Sequence, residues 1–114
     1  MTTRSPQEVF AHHAEALGAE DLESIVSDYS EDALLIVNRE IYRGLDGVRR
    51  VFTGLLGDVP QATWKVNTVY ADDVLYLEWQ ASGGGRKIED GIDTFVFRDG
   101  VIDIQTVVYT VQPA

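Results

Sequence analysis

Apolar positions recur at helical spacing through the first half of the chain and at strand spacing through the second. The opening helix is signalled by Ser5-Pro6 with Glu8 following, a capping-box pattern with proline at the first helical position. Running to about Leu17, it gathers Val9, Phe10, His13, Ala16 and Leu17 on one face and Glu8, His12 and Glu15 on the other. His13 thus falls inside the apolar stripe, whereas His12 belongs to the solvated face. A second helix is predicted from Glu20 to about Ser30, with Leu22, Ile25, Val26 and Tyr29 inward and its acids outward. Ala33 to Val37 is an apolar run too short for a helix, and with Asn38-Arg39-Glu40 and Ile41-Tyr42 it reads as a short hairpin. Asp46 then caps a third helix that buries Val48, Val51, Phe52, Leu55 and Leu56 and stops at Gly57 and Pro60.

From Ala62 onward the period becomes strand-like. Segments Ala62 to Ala71, Val74 to Ser82, Arg86 to Arg98 and Val101 to Gln112 are rich in β-branched and aromatic residues. Asp72-Asp73, Gly83-Gly84-Gly85 and Asp99-Gly100 separate them as turns, which predicts an antiparallel meander. The order of helices then strands gives an α+β fold. In the third of these strands Asp93, Phe95 and Phe97 share one face and Ile92, Thr94 and Val96 the other. The last strand is likewise apolar on both sides, with Ile102, Ile104 and Val108 opposite Val107, Tyr109 and Val111. Three helices can cover only one face of such a sheet, so the expectation is a homodimer through the other.

Composition narrows the chemistry. The 114 residues, 45% apolar and 25% charged, suit one soluble domain spanning 1–114. The absence of cysteine excludes disulfide scaffolds, thiolate metal sites and cysteine nucleophiles. A formal charge of −10 and a pI near 4.4 repel phosphate backbones and anionic membranes, so neither nucleic acid nor membrane is expected as a partner. The opening MTTRSPQE has no apolar signal core and no long apolar run follows, so a cytoplasmic location is expected. Gly83-Gly84-Gly85 precedes a strand rather than a helix and therefore implies a turn, not a phosphate loop. Two histidines without a carboxylate cluster at ligand spacing predict no metal site, and no cofactor is expected.

Several segments together resemble the nuclear-transport-factor-two-like superfamily, and within it the SnoaL-like and ketosteroid-isomerase-like proteins. They are Glu20-Asp21-Leu22-Glu23-Ser24-Ile25-Val26, Tyr29-Ser30-Glu31-Asp32-Ala33, Tyr42-Arg43-Gly44-Leu45-Asp46-Gly47-Val48 and Asp93-Thr94-Phe95-Val96-Phe97-Arg98-Asp99-Gly100-Val101-Ile102. The resemblance implies a cone in which about three N-terminal helices and a curved antiparallel sheet enclose an apolar cavity, with the convex sheet face commonly forming a dimer. It also implies roles for single residues. Position 37, where the isomerases carry their general-base aspartate, is Val37, which cannot abstract a proton. The oxyanion-hole tyrosine of the first helix corresponds to His13, its supporting tyrosine to Tyr29, and the second oxyanion donor, an aspartic acid kept neutral by an apolar site, to Asp93. The Arg-x-Asp pair of the limonene-epoxide-type hydrolases has no counterpart in Glu78-Trp79-Gln80-Ala81, which removes that activity from consideration.

Asp93 and His13 are therefore the candidate catalytic residues: a carboxyl and an imidazole facing one apolar cavity suit acid/base chemistry. Asp93 alternates with Phe95 and Phe97, a setting that desolvates a carboxyl and raises its pKa. The alternatives are an ionised Asp93 bonded to a neighbouring donor, or a reversed strand face, and for His13 a satisfied core histidine. Tyr29, Asn38, Trp64, Trp79, Phe95 and Tyr109 are the candidate ligand contacts, while aromatic strand residues also serve ordinary packing. Two readings of function follow. One is a cofactor-independent isomerase, cyclase or dehydratase acting on a small apolar molecule. The other is a non-catalytic module that binds a small ligand or a second protein copy.

Overall fold

The computed structural model describes residues 3–114. Met1 and Thr2, the start of the stretch read above for a signal sequence, lie outside the described residues. Helix α1 (Pro6–Gly18) starts as its sequence demands: Ser5 Oγ accepts from the Glu8 amide at 3.2 Å and the Glu8 carboxylate accepts from the Ser5 amide at 2.9 Å. It buries Val9, Phe10, His13 and Ala16.

Helix α2 is shorter than its periodicity predicts. Glu20 turns left-handed at φ 54°, Asp21 caps the next turn through the Ser24 amide, and α2 covers only Leu22–Val26. Strand β1 (Tyr29–Val37) then begins four residues before the predicted apolar run. The cause is a distant partner: Ile102 donates its amide to the Asp28 carbonyl at 2.7 Å, drawing the chain out of the helix. The expectation that every acid of this segment faces outward fails at Asp28, which is fully buried. Asn38 and Arg39, at φ 49° and 73°, turn β1 into β2 (Glu40–Arg43), the predicted hairpin. Helix α3 (Gly44–Asp58) starts before Asp46, with Arg43 as the N-cap and no side-chain cap. Asp46 instead occupies the first turn, where the helix dipole favours an anion, and accepts from Arg49 at 3.0 Å.

Strands β3 (Thr63–Ala71), β4 (Val74–Gly83), β5 (Arg86–Arg98) and β6 (Val101–Val108) form the predicted antiparallel meander, and β7 (Gln112–Pro113) returns to the start of β5. The sheet order is β2-β1-β6-β5-β4-β3, with β1 running parallel to β6. Two irregularities bend it. Opposite the single residue between Trp79 and Ala81, β5 carries two between Gly91 and Ile88, one extra, so Glu89 and Asp90 both face solvent. At Asp103 a second shift puts Ile102 on the inner face while Ile104 stays on the outer side, separating two residues that strict alternation had paired.

The register fixes what each face carries. Inward rows run Thr68, Leu77, Asp93, Val107 and Tyr70, Leu75, Phe95, Gln105. Outward rows run Val69, Tyr76, Thr94, Thr106 and Asn67, Glu78, Ile92, Val108. Helices α1 and α3 cover the inward rows, and the core forms between them around Phe10, Phe52, Leu75 and Phe95. No helix among the described residues is long and apolar enough to cross a membrane.

Candidate functional site

Between α1, α3 and the inner sheet face lies a cavity of about 90 Å³. Its walls are mainly apolar, from Phe10, Phe52, Leu55, Leu77 and Val107. Its polar lining comes from His13, Asp93 and Gln105, with the rings of Trp64, Trp79 and Tyr109 beside them. Phe95 also lines it, whereas Tyr29 and Asn38, expected as ligand contacts, do not. Tyr29 stands one layer behind the wall. Asn38 accepts the Tyr109 amide at 2.9 Å and faces a separate polar recess with Glu40, Tyr42, Arg50 and Asp58.

Asp93 occupies the centre of the sheet, 4% exposed. Both oxygens are engaged by diagonal cross-strand neighbours, which lie two positions along from its direct partners. Trp79, paired with Gly91, donates its indole N–H to Oδ1 at 2.5 Å, and Gln105, paired with Phe95, donates its amide to Oδ2 at 2.7 Å. Gly91 makes the first contact geometrically possible, since a Cβ there would stand 2.2 Å from the Trp79 ring. Burial drives the Asp93 pKa up to about 7, against the bonds from Gln105 and Trp79, which pull it down. Neither donor is a cation, so nothing here compensates a full negative charge by charge.

Gln105 continues the chain outward from Asp93: the Tyr29 hydroxyl donates to Gln105 Oε1 in a short contact between buried groups. Burial, and then the charges of Asp93 and Asp28, push the Tyr29 pKa far above the usual phenol range. Sequence reasoning missed Gln105. The available signal was its alternation with Val107 and Tyr109, which puts an amide in an otherwise apolar row.

His13 is held among the rings of Phe10, Tyr29, Phe52 and Phe95, at centroid distances of 5.5 to 6.1 Å. Its Nδ1 is buried with no hydrogen-bond partner. Burial lowers its pKa to about 4; Asp28 opposes this and His12 adds to it. The ring is therefore a neutral imidazole at neutral pH, able to donate from one nitrogen and accept at the other.

Behind α1 sits a cluster that the sequence did not announce. Asp28 accepts from Arg4 at 2.9 Å and lies 2.7 Å from His12 Nδ1, while Arg4 also donates to the Gly100 carbonyl at 2.9 Å. His12, expected on a purely solvated face, is half-exposed and tied to this buried carboxylate. Tyr109 lies between the cavity and the polar recess, and burial, followed by Asp58, Tyr42 and Asp93, pushes its pKa up to about 12. Among the described residues no group of three or more His, Cys, Asp or Glu is placed to hold a metal ion.

Comparison with known proteins gives this arrangement a context. The SnoaL-like domain matches residues 10–103. Wild-type IdmH, a candidate polyketide cyclase from Streptomyces antibioticus, superposes with TM-score 0.77 at 18% identity, covering 93% of this chain and 92% of its own. A candidate ketosteroid isomerase from Kribbella flavida gives TM-score 0.76 at 13% identity, covering 92% of this chain and 77% of its own. An NTF-2-like protein of unknown function from Burkholderia xenovorans gives TM-score 0.78 at 19% identity, covering 96% and 84%. At these identities the likeness establishes the fold alone. No curated protein matches this chain by sequence.

Proposed function

Because the chain belongs to the SnoaL-like domain family, we propose that it takes a small, neutral, mainly apolar molecule into the cavity and exchanges a proton with it through Asp93. The observation that carries this reading is a carboxyl facing an apolar cavity with both oxygens bonded by uncharged donors. Such an acid keeps its proton close to neutral pH and can give it to a ligand oxygen, and once ionised it can take one from an adjacent C–H. His13, neutral in the same wall, is the second polar contact, holding the ligand by hydrogen bond rather than acting as a strong base. The reaction classes that fit are isomerisation, cyclisation and dehydration without a cofactor. Steroid-like and polyketide-like compounds, suggested by the names of the structural neighbours, are the first to screen.

The test is turnover of such a panel by the native chain and by Asp93→Asn, with carboxyl chemical shifts followed by NMR. Loss of turnover in a folded variant supports the proposal; equal turnover by both, or an Asp93 that titrates near the usual carboxylate range, removes it.

Two observations favour a second reading, non-catalytic binding. Val37 supplies no base. The cavity of about 90 Å³ is also smaller than the roughly 150 Å³ that accommodates benzene in an engineered core, so a polycyclic ligand requires the rim at Val66 and Tyr109 to move. Under this reading apolar ligands raise the melting temperature without being converted. Under either reading we propose a homodimer through the outer sheet face.

A further inference from the structure

In the hydrogen-bond chain Tyr29, Gln105, Asp93, Trp79, every proton points toward the carboxylate: phenol to amide oxygen, amide nitrogen to Oδ2, indole to Oδ1. That order satisfies an ionised acid. Once Asp93 is protonated the same order fails, because the acid O–H confronts either the indole N–H, which is only a donor, or the amide N–H. On either side of Asp93 along its row stand only the apolar side chains of Leu77 and Val107, and a buried donor without an acceptor is costly. One group in the chain can reverse. The Gln105 amide carries an acceptor and a donor at matching ends, and a half-turn exchanges them.

We propose that Gln105 is a positioning residue whose amide turns over with the protonation of Asp93. Turned over, its oxygen accepts the acid proton, its nitrogen donates to the Tyr29 hydroxyl, and Tyr29 passes its own hydrogen bond to His13 Nδ1. The last step gives a partner to the one buried side-chain atom that lacks one among the described residues. Tyr29 and His13 are in contact, edge to face, with ring centroids 5.9 Å apart. When a ligand carbonyl enters and accepts the hydrogen bond of the acid O–H, the amide returns and His13 Nδ1 is freed to accept from a donor on the ligand. Occupancy of one end of the cavity wall thus sets the hydrogen bonding at the other. This deepens the proton-exchange reading of Asp93 and rests on it.

The groups that bear on Asp93 are few: His13 from α1, Tyr29 from β1, Gln105 from β6, Trp79 from β4 and Tyr109 beyond β6, with Asp28 behind Tyr29 and His13. His13 and Asp93 both line the cavity beside Gln105, and His13 changes charge well below Asp93. A switch that follows Asp93 is therefore distinguishable from one that follows the imidazole.

The experiment is side-chain NMR of the full chain across the Asp93 titration. It observes NOEs from the Gln105 amide protons to the Trp79 indole proton and to the Tyr29 ring, together with the His13 Nδ1 shift. As Asp93 protonates, the amide NOEs should move from Trp79 to Tyr29, and Nδ1 should gain a hydrogen bond while the ring stays neutral. Acetone, a carbonyl probe smaller than benzene, should return the amide to Trp79 at the same pH. In Tyr29→Phe the amide has no acceptor to turn toward, so its NOEs should stay with Trp79 at every pH. Amide NOEs that do not move while Asp93 titrates near neutrality overturn the relay and leave the proton-exchange reading standing. A switch that persists in Tyr29→Phe overturns it too. An Asp93 that titrates in the usual carboxylate range removes the proton-exchange reading itself.

Discussion

Two buried groups oppose one another across one cavity, and the opposition should be visible in the pH dependence of stability. Asp93 keeps its proton to about pH 7 when folded but loses it near 3.8 when unfolded, so across that window the folded chain binds more protons and stability falls as pH rises. His13 behaves inversely: folded, it stays neutral down to about pH 4, while the unfolded ring protonates near 6.5, so stability rises with pH between those values. From about pH 4 to 6.5 the two slopes cancel. The remaining carboxylates contribute alike to every variant, so the comparison isolates this pair. Asp93→Asn should unmask a rising slope of about 1 kcal/mol per pH unit relative to the native chain, and His13→Leu a falling slope of the same size. Urea unfolding across the range checks both, and parallel curves for all three chains would refute the opposition. A second residue-scale prediction concerns Gly91. A methyl group there collides with the Trp79 indole, so Gly91→Ala should displace the ring, cost about 1–3 kcal/mol by overpacking, and raise the Asp93 pKa further through loss of the indole donor. Tryptophan emission together with the Asp93 titration reads this directly, and an unmoved emission spectrum would count against it.

Elements show where sequence patterning carries the fold and where it stops. Helix α1 is legible because its cap and its apolar stripe are both local; Ser5, Glu8 and His13 need nothing distant to take their places. Asp93 is legible for a similar reason, since alternation with Phe95 and Phe97 sets its side of β5. The junction of α2 and β1 is not legible, because helical spacing from Leu22 to Tyr29 persists where pairing with β6 has already taken the backbone. Gln105 and Ile102 share the inner face only through the shift at Asp103, which alternation does not disclose. The cluster of Arg4, His12 and Asp28 follows from the same long-range pairing, and it predicts an asymmetry. Asp28→Ala leaves the half-exposed Arg4 and His12 side chains, which water can solvate, at a cost of about 1–3 kcal/mol. Removing Arg4 and His12 together strands a fully buried carboxylate, which should cost more, about 3–5 kcal/mol. Denaturant midpoints of the two variants decide it; equal losses would mean that the buried charge is not what this cluster stabilises.

At the scale of the whole molecule the outer sheet face carries a set of exposed apolar side chains, and the proposed homodimer uses it. Register places Val69 beside Tyr76 in one row and Ile92 beside Val108 in the next, and these four side chains are 38–62% exposed. Glu78 lies in the second row beside Ile92, and Lys65 sits with it in one shallow recess, so opposite charges are within one patch and a second copy turned by a two-fold axis can pair them. The charge of the chain, at −10, repels acidic surfaces, including its own away from that patch. Two such chains brought together gain apolar burial at the centre and pay repulsion at the periphery, and added salt screens the repulsion between two chains of −10 more than it weakens the few Glu78–Lys65 pairs. The expected outcome by sedimentation equilibrium is therefore a dimer whose dissociation constant falls as salt rises. Ile92→Lys with Val108→Lys places two new cations at the centre of the face without touching the core, and should give a monomer with an unchanged circular dichroism spectrum. A native chain that remains monomeric at high salt, or a double variant that still dimerises, would rule out this face. The cavity lies on the opposite side of the same strands, so the monomeric variant should keep the Asp93 titration of the native chain.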